Sequence, residues 1–244
     1  MFPSFSNMRI NKYLSACGLC SRREADRLLE AGRVSVNGKK AENGMQIEEG
    51  MQVCLDGRPV VPEARKVYLK LYKPPGIVCT ADLREKDNVI SYIQYPVRVT
   101  YAGRLDKNSE GLLLLTNDGD LIENLMRSRN AHEKEYEVTL SREMTDPELK
   151  KLCSGVWLAD LEKKTLPCSI ERIGEKTYRF VLTQGLNRQI RRMCKSIGIH
   201  VRRLKRVRVA SVLLADMYPG ELRELTEVER DTLLDSLDRS GRFF

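Results

Sequence analysis

Two stretches with different hydrophobic patterning divide this chain. In the first, Ile10, Tyr13, Leu14 and Cys17 recur at helical spacing. Ser21-Arg22-Arg23-Glu24 then has the S-x-x-E form of a capping box, which predicts a second helix running through Leu28 and Leu29, with Gly32 as its stop. Val34-Ser35-Val36 alternates as a short strand, Asn37-Gly38 is a hairpin turn signal, and Met51–Leu55 reads as another strand. This unit spans residues 8–60. Pro59, Pro62 and the charged run Glu63-Ala64-Arg65-Lys66 mark a linker over 61–66.

From 67 to 238 the pattern is mixed. Val67–Leu71, Gly111–Thr116, Tyr136–Leu140 and Tyr178–Leu182 read as strands and Leu121–Arg127 as a helix. Thr145-Asp146-Pro147-Glu148 and Thr226-Glu227-Val228-Glu229 predict two further helix starts. Strands separated irregularly by helices predict an α+β fold: a small unit, then a larger domain on a mostly antiparallel mixed sheet with flanking helices.

Composition narrows the class. With 41% hydrophobic and 31% charged residues, the chain has the balance of an ordinary globular protein. Its longest apolar run, Leu112–Leu115, is the length of a buried strand and far short of the roughly 20 residues that span a bilayer. The start, Met1-Phe2-Pro3-Ser4, lacks the pattern of a signal peptide, so the cytoplasm is the expected location. Seven scattered cysteines do not form a disulfide framework. Cys17-Gly18-Leu19-Cys20 has C-x-x-C spacing but no second pair, and His132 and His200 lie far off in sequence, so packing at a helix end is expected rather than a metal.

A formal net charge of +8 favours an anionic partner, and its placement matters more than its size. Arg9, Lys12, Arg22, Arg23, Arg27 and Arg33 crowd the two N-terminal helices. Arg22 and Arg23 fall in a first turn, where cations oppose the helix dipole and a phosphate would relieve the mismatch. Glu24, Asp26 and Glu30 nearby also fit a plain solvated face. Farther on, Arg188 to Arg208 holds nine Lys or Arg residues and no acid, which predicts repulsion unless an anion arrives. Ile190, Met193, Cys194 and Ile197 give that run one buried helix face and set Arg191 beside it, so Arg191 is expected to point inward and to want a carboxylate. Asp106, in the Gly-bounded loop before the aliphatic strand, suits that pairing. Such a position suits a nucleophile or base and equally a structural turn.

These segments carry a resemblance. Arg9–Leu14, Cys20–Asp26 and Val34–Gly38 resemble the αL RNA-binding domain of the ribosomal small-subunit protein four type. Lys73-Pro74-Pro75-Gly76, Gly103-Arg104-Leu105-Asp106 with Gly111-Leu112-Leu113, His132–Val138 and Gly185–Met193 resemble, in order, the motifs of the RsuA/RluB/RluE/RluF-type pseudouridine synthases. Ser109 stands where many relatives carry threonine. The stretches His132–Tyr136 and Gln184–Met193 are similar to those of the RluF members, which modify large-subunit (23S) ribosomal RNA.

The resemblance implies an isomerase that turns a specific uridine in structured RNA into pseudouridine, with Asp106 as catalytic carboxylate, Tyr136 contacting the target base and Arg191 pairing with Asp106. Arg104 would hold the RNA open. Lys73, Arg188, Gln189 and Arg192, with Arg9, Lys12, Arg22, Arg23 and Arg33 on the N-terminal helices, would be further RNA contacts. The reaction moves ribose from N1 to C5 without redox or phosphate transfer, so neither cofactor nor metal is expected. The expected state is a monomer with ribosomal RNA as partner. The rival readings are a non-catalytic RNA-binding or ribosome-assembly factor, a synthase acting on transfer RNA, and a metal nuclease using Asp106. Clustered acids and histidines, which the nuclease would need, are missing around that loop.

Overall fold

A computed structural model of the chain describes residues 7–82, 84–127 and 132–240. It contains two compact units, the first running through Val67 and taking in two later returns of the chain, Tyr95–Thr100 and Thr116–Gly119.

In the first unit, β1 (Met8–Arg9) leads into α1 (Ile10–Ala16) and α2 (Arg22–Glu30), followed by β2 (Val34–Val36), β3 (Lys39–Lys40), β4 (Gln46–Ile47), β5 (Val53–Leu55) and β6 (Arg58–Pro59). The capping box forms as the sequence predicts: Glu24 N donates to Ser21 Oγ at 3.2 Å and Ser21 N to Glu24 Oε2 at 3.4 Å. Asn37 and Gly38 both take positive φ, the backbone that a tight hairpin between β2 and β3 requires. Ile10, Leu14, Ala25, Leu29, Val34 and Val53 close one apolar core, and Cys20 lies within it with Cys17 packed alongside. Burial and the neighbouring Cys20 thiol push the Cys17 thiol up to about 12. Within the segment expected as a linker, Glu63 N donates to Ala16 O at 3.0 Å.

The second unit is built on β7 (Tyr68–Lys73), α3 (Val89–Ile93), β8 (Thr100–Ala102), β9 (Glu110–Thr116), α4 (Gly119–Met126), β10 (Lys134–Leu140) and α5 (Asp146–Cys153). There follow β11 (Trp157–Leu158), a 3-10 turn (Ala159–Leu161), β12 (Lys163–Lys164), β13 (Ser169–Arg172), β14 (Thr177–Leu182), α6 (Gln189–Lys195), β15 (Val201–Val209), β16 (Val212–Leu213), β17 (Leu222–Glu224) and α7 (Glu227–Ser240). Its sheet runs β13-β14-β10-β15-β9-β7-β17, with β16 beside β15 and β8 beside β9. The ladders flanking β10 are antiparallel, while β15 runs parallel to β9. Both remaining T-x-x-E signatures cap helices, α5 from Thr145 and α7 from Thr226.

Every residue of β9 is buried, which is why its sequence is a continuous aliphatic run rather than an alternating one. Burying each of its leucines contributes about 1.5–3 kcal/mol. Leu112 and Leu114 pack with α4 and α7, and the other core joins β10, β13, β14 and β15 to α5 and α6. β15 contributes to both cores, Leu204 to one and Val209 to the other, and the loop carrying Asp106 leads into β9.

β15 is the element that the sequence pattern hides. Five of its nine residues are Lys or Arg, yet it is a central strand. The counter-charges that the basic run lacks in sequence come from its neighbours. Arg203 pairs with Glu110 of β9, Lys205 with Glu137 of β10, and Arg208 with Glu133 and Glu135. The expectation that this run stays unbalanced until an anion arrives is therefore corrected for its β15 half.

Candidate active site

The loop between β8 and β9 is held through its backbone. Arg104 O accepts from Arg206 Nη1 at 3.4 Å and Asp106 O from Ser109 N at 3.0 Å. Lys107 O accepts from Gly76 N at 2.8 Å and from Lys73 Nζ at 3.4 Å, and Asn108 O from Arg191 Nη2 at 3.3 Å. With four successive or near-successive carbonyls engaged, the Asp106 side chain projects from a backbone that has little freedom left to lose.

Two guanidinium groups face that carboxylate. Arg188 Nη1 lies 3.5 Å from Asp106 Oδ2, and Arg191 Nε lies 3.9 Å from the same oxygen. Arg188 sits at the N-cap of α6 in a left-handed backbone conformation (φ 51°), which turns its side chain back toward the loop side of the helix. Arg191 is largely buried; Nη1 donates to Val201 O at 3.1 Å and Nη2 to Ser109 Oγ at 3.4 Å. Burial first, and then Arg188, push the Arg191 guanidinium down from its ordinary value, while Asp106 pulls it back up. Its Nε is buried with no hydrogen-bond acceptor among the described residues. At 3.9 Å the gap to Asp106 is too long for a hydrogen bond. A small closure on substrate binding would make it one, as happens in many active sites.

Tyr136 lies two strands from this loop. It is in register with Arg206 of β15, which is in turn in register with Gly111 of β9. At the usual strand spacing that sets its Cα about 10 Å from Gly111. Half-buried, it packs on the same cluster as Leu186, Ile190 and Met193, the apolar side of the segment that supplies Arg188 and Arg191. The Arg104 side chain is exposed beside Asp106.

Two expected RNA contacts turn inward instead. Lys73 is fully buried, and its ammonium donates to Pro74 O at 2.7 Å and Ile77 O at 2.9 Å as well as to Lys107 O. Burial pushes it down to about 8. It is a prop under the Asp106 loop. Gln189 is also buried; its Oε1 accepts from Leu186 N at 2.9 Å and its Nε2 donates to Gln184 Oε1 at 3.3 Å, closing the turn before α6. Arg192 remains accessible but is paired with Asp160.

The sequence reading passed over three residues here. Arg206 is buried, and its Nε donates to Leu112 O at 2.7 Å. Its place two residues after Leu204, on the same side of the strand, was the available signal. Glu110 accepts from Tyr72 Oη at 2.8 Å and from Arg203 Nε at 2.6 Å, and these bonds, Arg203's foremost, hold its carboxyl below the usual range. Burial, then Glu110, pushes the Tyr72 hydroxyl up to about 12.

In the first unit, Arg9, Lys12 and Arg22 line one open groove of about 420 Å³ together with Asn7, Asn11 and Gln46. Arg23 is exposed but is not part of that lining. Glu24 in the first turn of α2 already offsets part of the dipole mismatch expected there. Arg33 is paired with the half-exposed Asp56, its Nε donating to Asp56 Oδ1 at 2.9 Å.

Comparison with known proteins identifies a family for each of two segments of the chain. The chain belongs to the RNA pseudouridylate synthase family, which it matches over residues 67–196, and it matches the S4 domain over residues 8–53. It is 42% identical to the dual-specificity RNA pseudouridine synthase RluF of Shigella flexneri, across 99% of this chain and 83% of that protein. It is 33% identical to the ribosomal small subunit pseudouridine synthase A of Escherichia coli (strain K12), across 91% and 98%. A crystal structure of a pseudouridylate synthase superposes with a TM-score of 0.69 at 26% identity, covering 93% of this chain and 99% of that one. The chain is thus an RNA pseudouridine synthase, an isomerase of uridine in RNA.

Proposed function

We propose that Asp106 is the catalytic carboxylate of this isomerase, acting on a uridine flipped out of folded large-subunit ribosomal RNA. The observation that carries the assignment is the loop itself: one carboxylate, fixed by its backbone and faced by Arg188 and Arg191. In the reaction the bond from ribose C1′ to N1 breaks, the base turns, and C1′ bonds to C5. The C5 proton leaves and N1 gains one, so the atoms balance within the substrate. Asp106 can serve by attacking the sugar or base or by removing a ribose proton. Arg191 holds it in place and Arg188 closes over it. Tyr136 stacks on the extruded base, and Arg104 occupies the opened stack; flipping costs a few kcal/mol and least in a loop or bulge.

The same cytoplasmic enzyme, acting as a monomer, grips the RNA through the Arg9, Lys12 and Arg22 groove as well. The RluF relative's description as dual-specificity supports a second RNA substrate, for which transfer RNA is the candidate.

Pseudouridine mapping of cellular RNA by carbodiimide labelling and primer extension, in cells lacking the gene, tests this reading. One site in large-subunit RNA should vanish and return with the wild-type gene, but not with Asp106→Asn. A site lost only from transfer RNA would move the substrate assignment, and full restoration by Asp106→Asn would overturn the catalytic one.

A further inference from the structure

The one tryptophan of the chain, Trp157, is 60% exposed on a rigid hairpin. A tryptophan buries roughly 150–250 Å² when it packs, so leaving it in water forgoes one of the largest apolar gains available to any residue. The hairpin is not loose. Leu158 beside it is buried in the core, Val156 N donates to Thr165 Oγ1 at 2.9 Å, and Thr165 N donates back to Val156 O at 2.9 Å. Gly155, with φ +87°, lets the chain enter so tightly that a Cβ there would lie 2.4 Å from Thr165 O.

Two links tie this hairpin to the segment bearing Arg188 and Arg191. Asp160 pairs with Arg192 of α6, and Leu166 N donates at 3.0 Å to Gln184 Oε1, the atom that also receives Gln189. At the Asp160–Arg192 pair lies an open groove of about 370 Å³ lined by Asp160, Arg188, Arg191, Arg192, Lys195 and His200. On the hairpin, Lys164 is the register partner directly across from Trp157, and Lys163, across from Leu158, is itself exposed. Among the described residues neither lysine is paired with a carboxylate. The Cβ atoms of cross-strand partners stand about 5 Å apart, so Trp157 and Lys164 rise from neighbouring positions on one face.

We propose that Trp157 is a stacking platform for an unpaired base of the substrate RNA, flanking the segment that enters the Asp106 site, with Lys164 and Lys163 meeting its phosphates. An aromatic face beside cations is the general recognition device for single-stranded nucleic acid. Of the hairpin's two acidic residues, Asp160 is paired with Arg192, while Glu162 is exposed in the turn next to Lys163 and offsets part of the local positive charge. This inference rests on the RNA synthase reading and specifies how that substrate is held.

Because Trp157 is the sole tryptophan, its fluorescence reports on this surface alone. Full-length protein carrying Asp106→Asn is titrated with a hairpin RNA that has a uridine-containing loop, and separately with a fully paired duplex of the same stem. Emission should be quenched by the looped RNA and not by the duplex at equal saturation, judged by mobility shift. In the otherwise wild-type enzyme, Trp157→Ala should weaken binding of the looped RNA about ten-fold or more and raise KM with kcat at saturation retained, while Trp157→Phe restores most of the loss. Lys163→Gln with Lys164→Gln should lower the salt slope by about two. Unchanged emission at saturation, or equal looped-RNA affinity in Trp157→Ala, overturns the proposal. Failure of the wild-type enzyme to form pseudouridine in any RNA would instead overturn the reading beneath it, whatever the fluorescence does.

Discussion

Lys73, Arg191 and Arg206 direct their charge inward onto backbone carbonyls, whereas Arg9, Lys12 and Arg22 line an open groove on α1 and α2. Both regions are basic in sequence, and they use that charge in opposite ways. A buried cation bears a desolvation cost that only dense hydrogen bonding offsets, so its removal leaves carbonyls stranded and disturbs the loop they belong to. A cation lining an open groove bears far less of that cost. The Asp106 loop is thus stiffened by the same residue types that elsewhere line an open groove.

The largest effect should come from the place where this internal scaffold is tightest. At Gly111 a Cβ would lie 2.2 Å from Arg206 O, on a backbone with φ +102°. Gly111→Ala should cost more than about 4 kcal/mol in urea unfolding or fail to fold. Gly185→Ala, with nothing within 4 Å of its Cβ position, should be tolerated.

Next comes Lys73→Met, which keeps the stem and strands the carbonyls of Pro74 and Ile77, for roughly 2–5 kcal/mol. Its pH dependence has a definite sign. The folded ammonium titrates near 8 against 10.5 for the free side chain. Between those values the unfolded chain binds more protons at this position, so the folded state gains stability as pH rises from about 8 toward 10.5. Below about 8 both states are charged there and the burial cost is fully present. The stability of wild type relative to Lys73→Met should therefore widen across that window, and a gap that narrows would contradict the buried-ammonium account.

In the groove, replacing Arg9, Lys12 and Arg22 together by Gln should leave thermal unfolding unchanged. It should weaken RNA binding and reduce the slope of log affinity against log salt by up to about three. The smallest effect is expected at Arg33→Gln. Its partner Asp56 is as exposed as it is, so the melting temperature should not move measurably, and RNA binding should change less than for any groove cation.

Much of this contrast was legible in the chain. The three S/T-x-x-E signatures became capped helices because a cap is a local device that no distant contact need approve. The Asp106 loop and its partner Arg191 were legible because Gly103, Gly111 and the apolar face of α6 constrain them locally. What stayed hidden depends on neighbours distant in sequence. β15 looked like a charged run because its counter-charges, Glu110, Glu133, Glu135 and Glu137, lie 68 to 93 residues away. A motif names Lys73 and Gln189 but does not say which way a side chain points, and both point inward. Tyr72 and Glu110 escaped notice because their hydrogen bond joins two strands that no periodicity relates.

The central claim is that Asp106 performs the chemistry while the surrounding arginines hold it. Release of tritium from RNA labelled at uridine C5 measures this directly, because the isomerisation must expel that hydrogen. Wild-type protein and Asp106→Asn, compared in single-turnover reactions with RNA saturation confirmed by mobility shift, should bind alike, and only the wild type should release tritium. Release by Asp106→Asn at a rate near wild type would contradict the account and leave the carboxylate a structural turn residue.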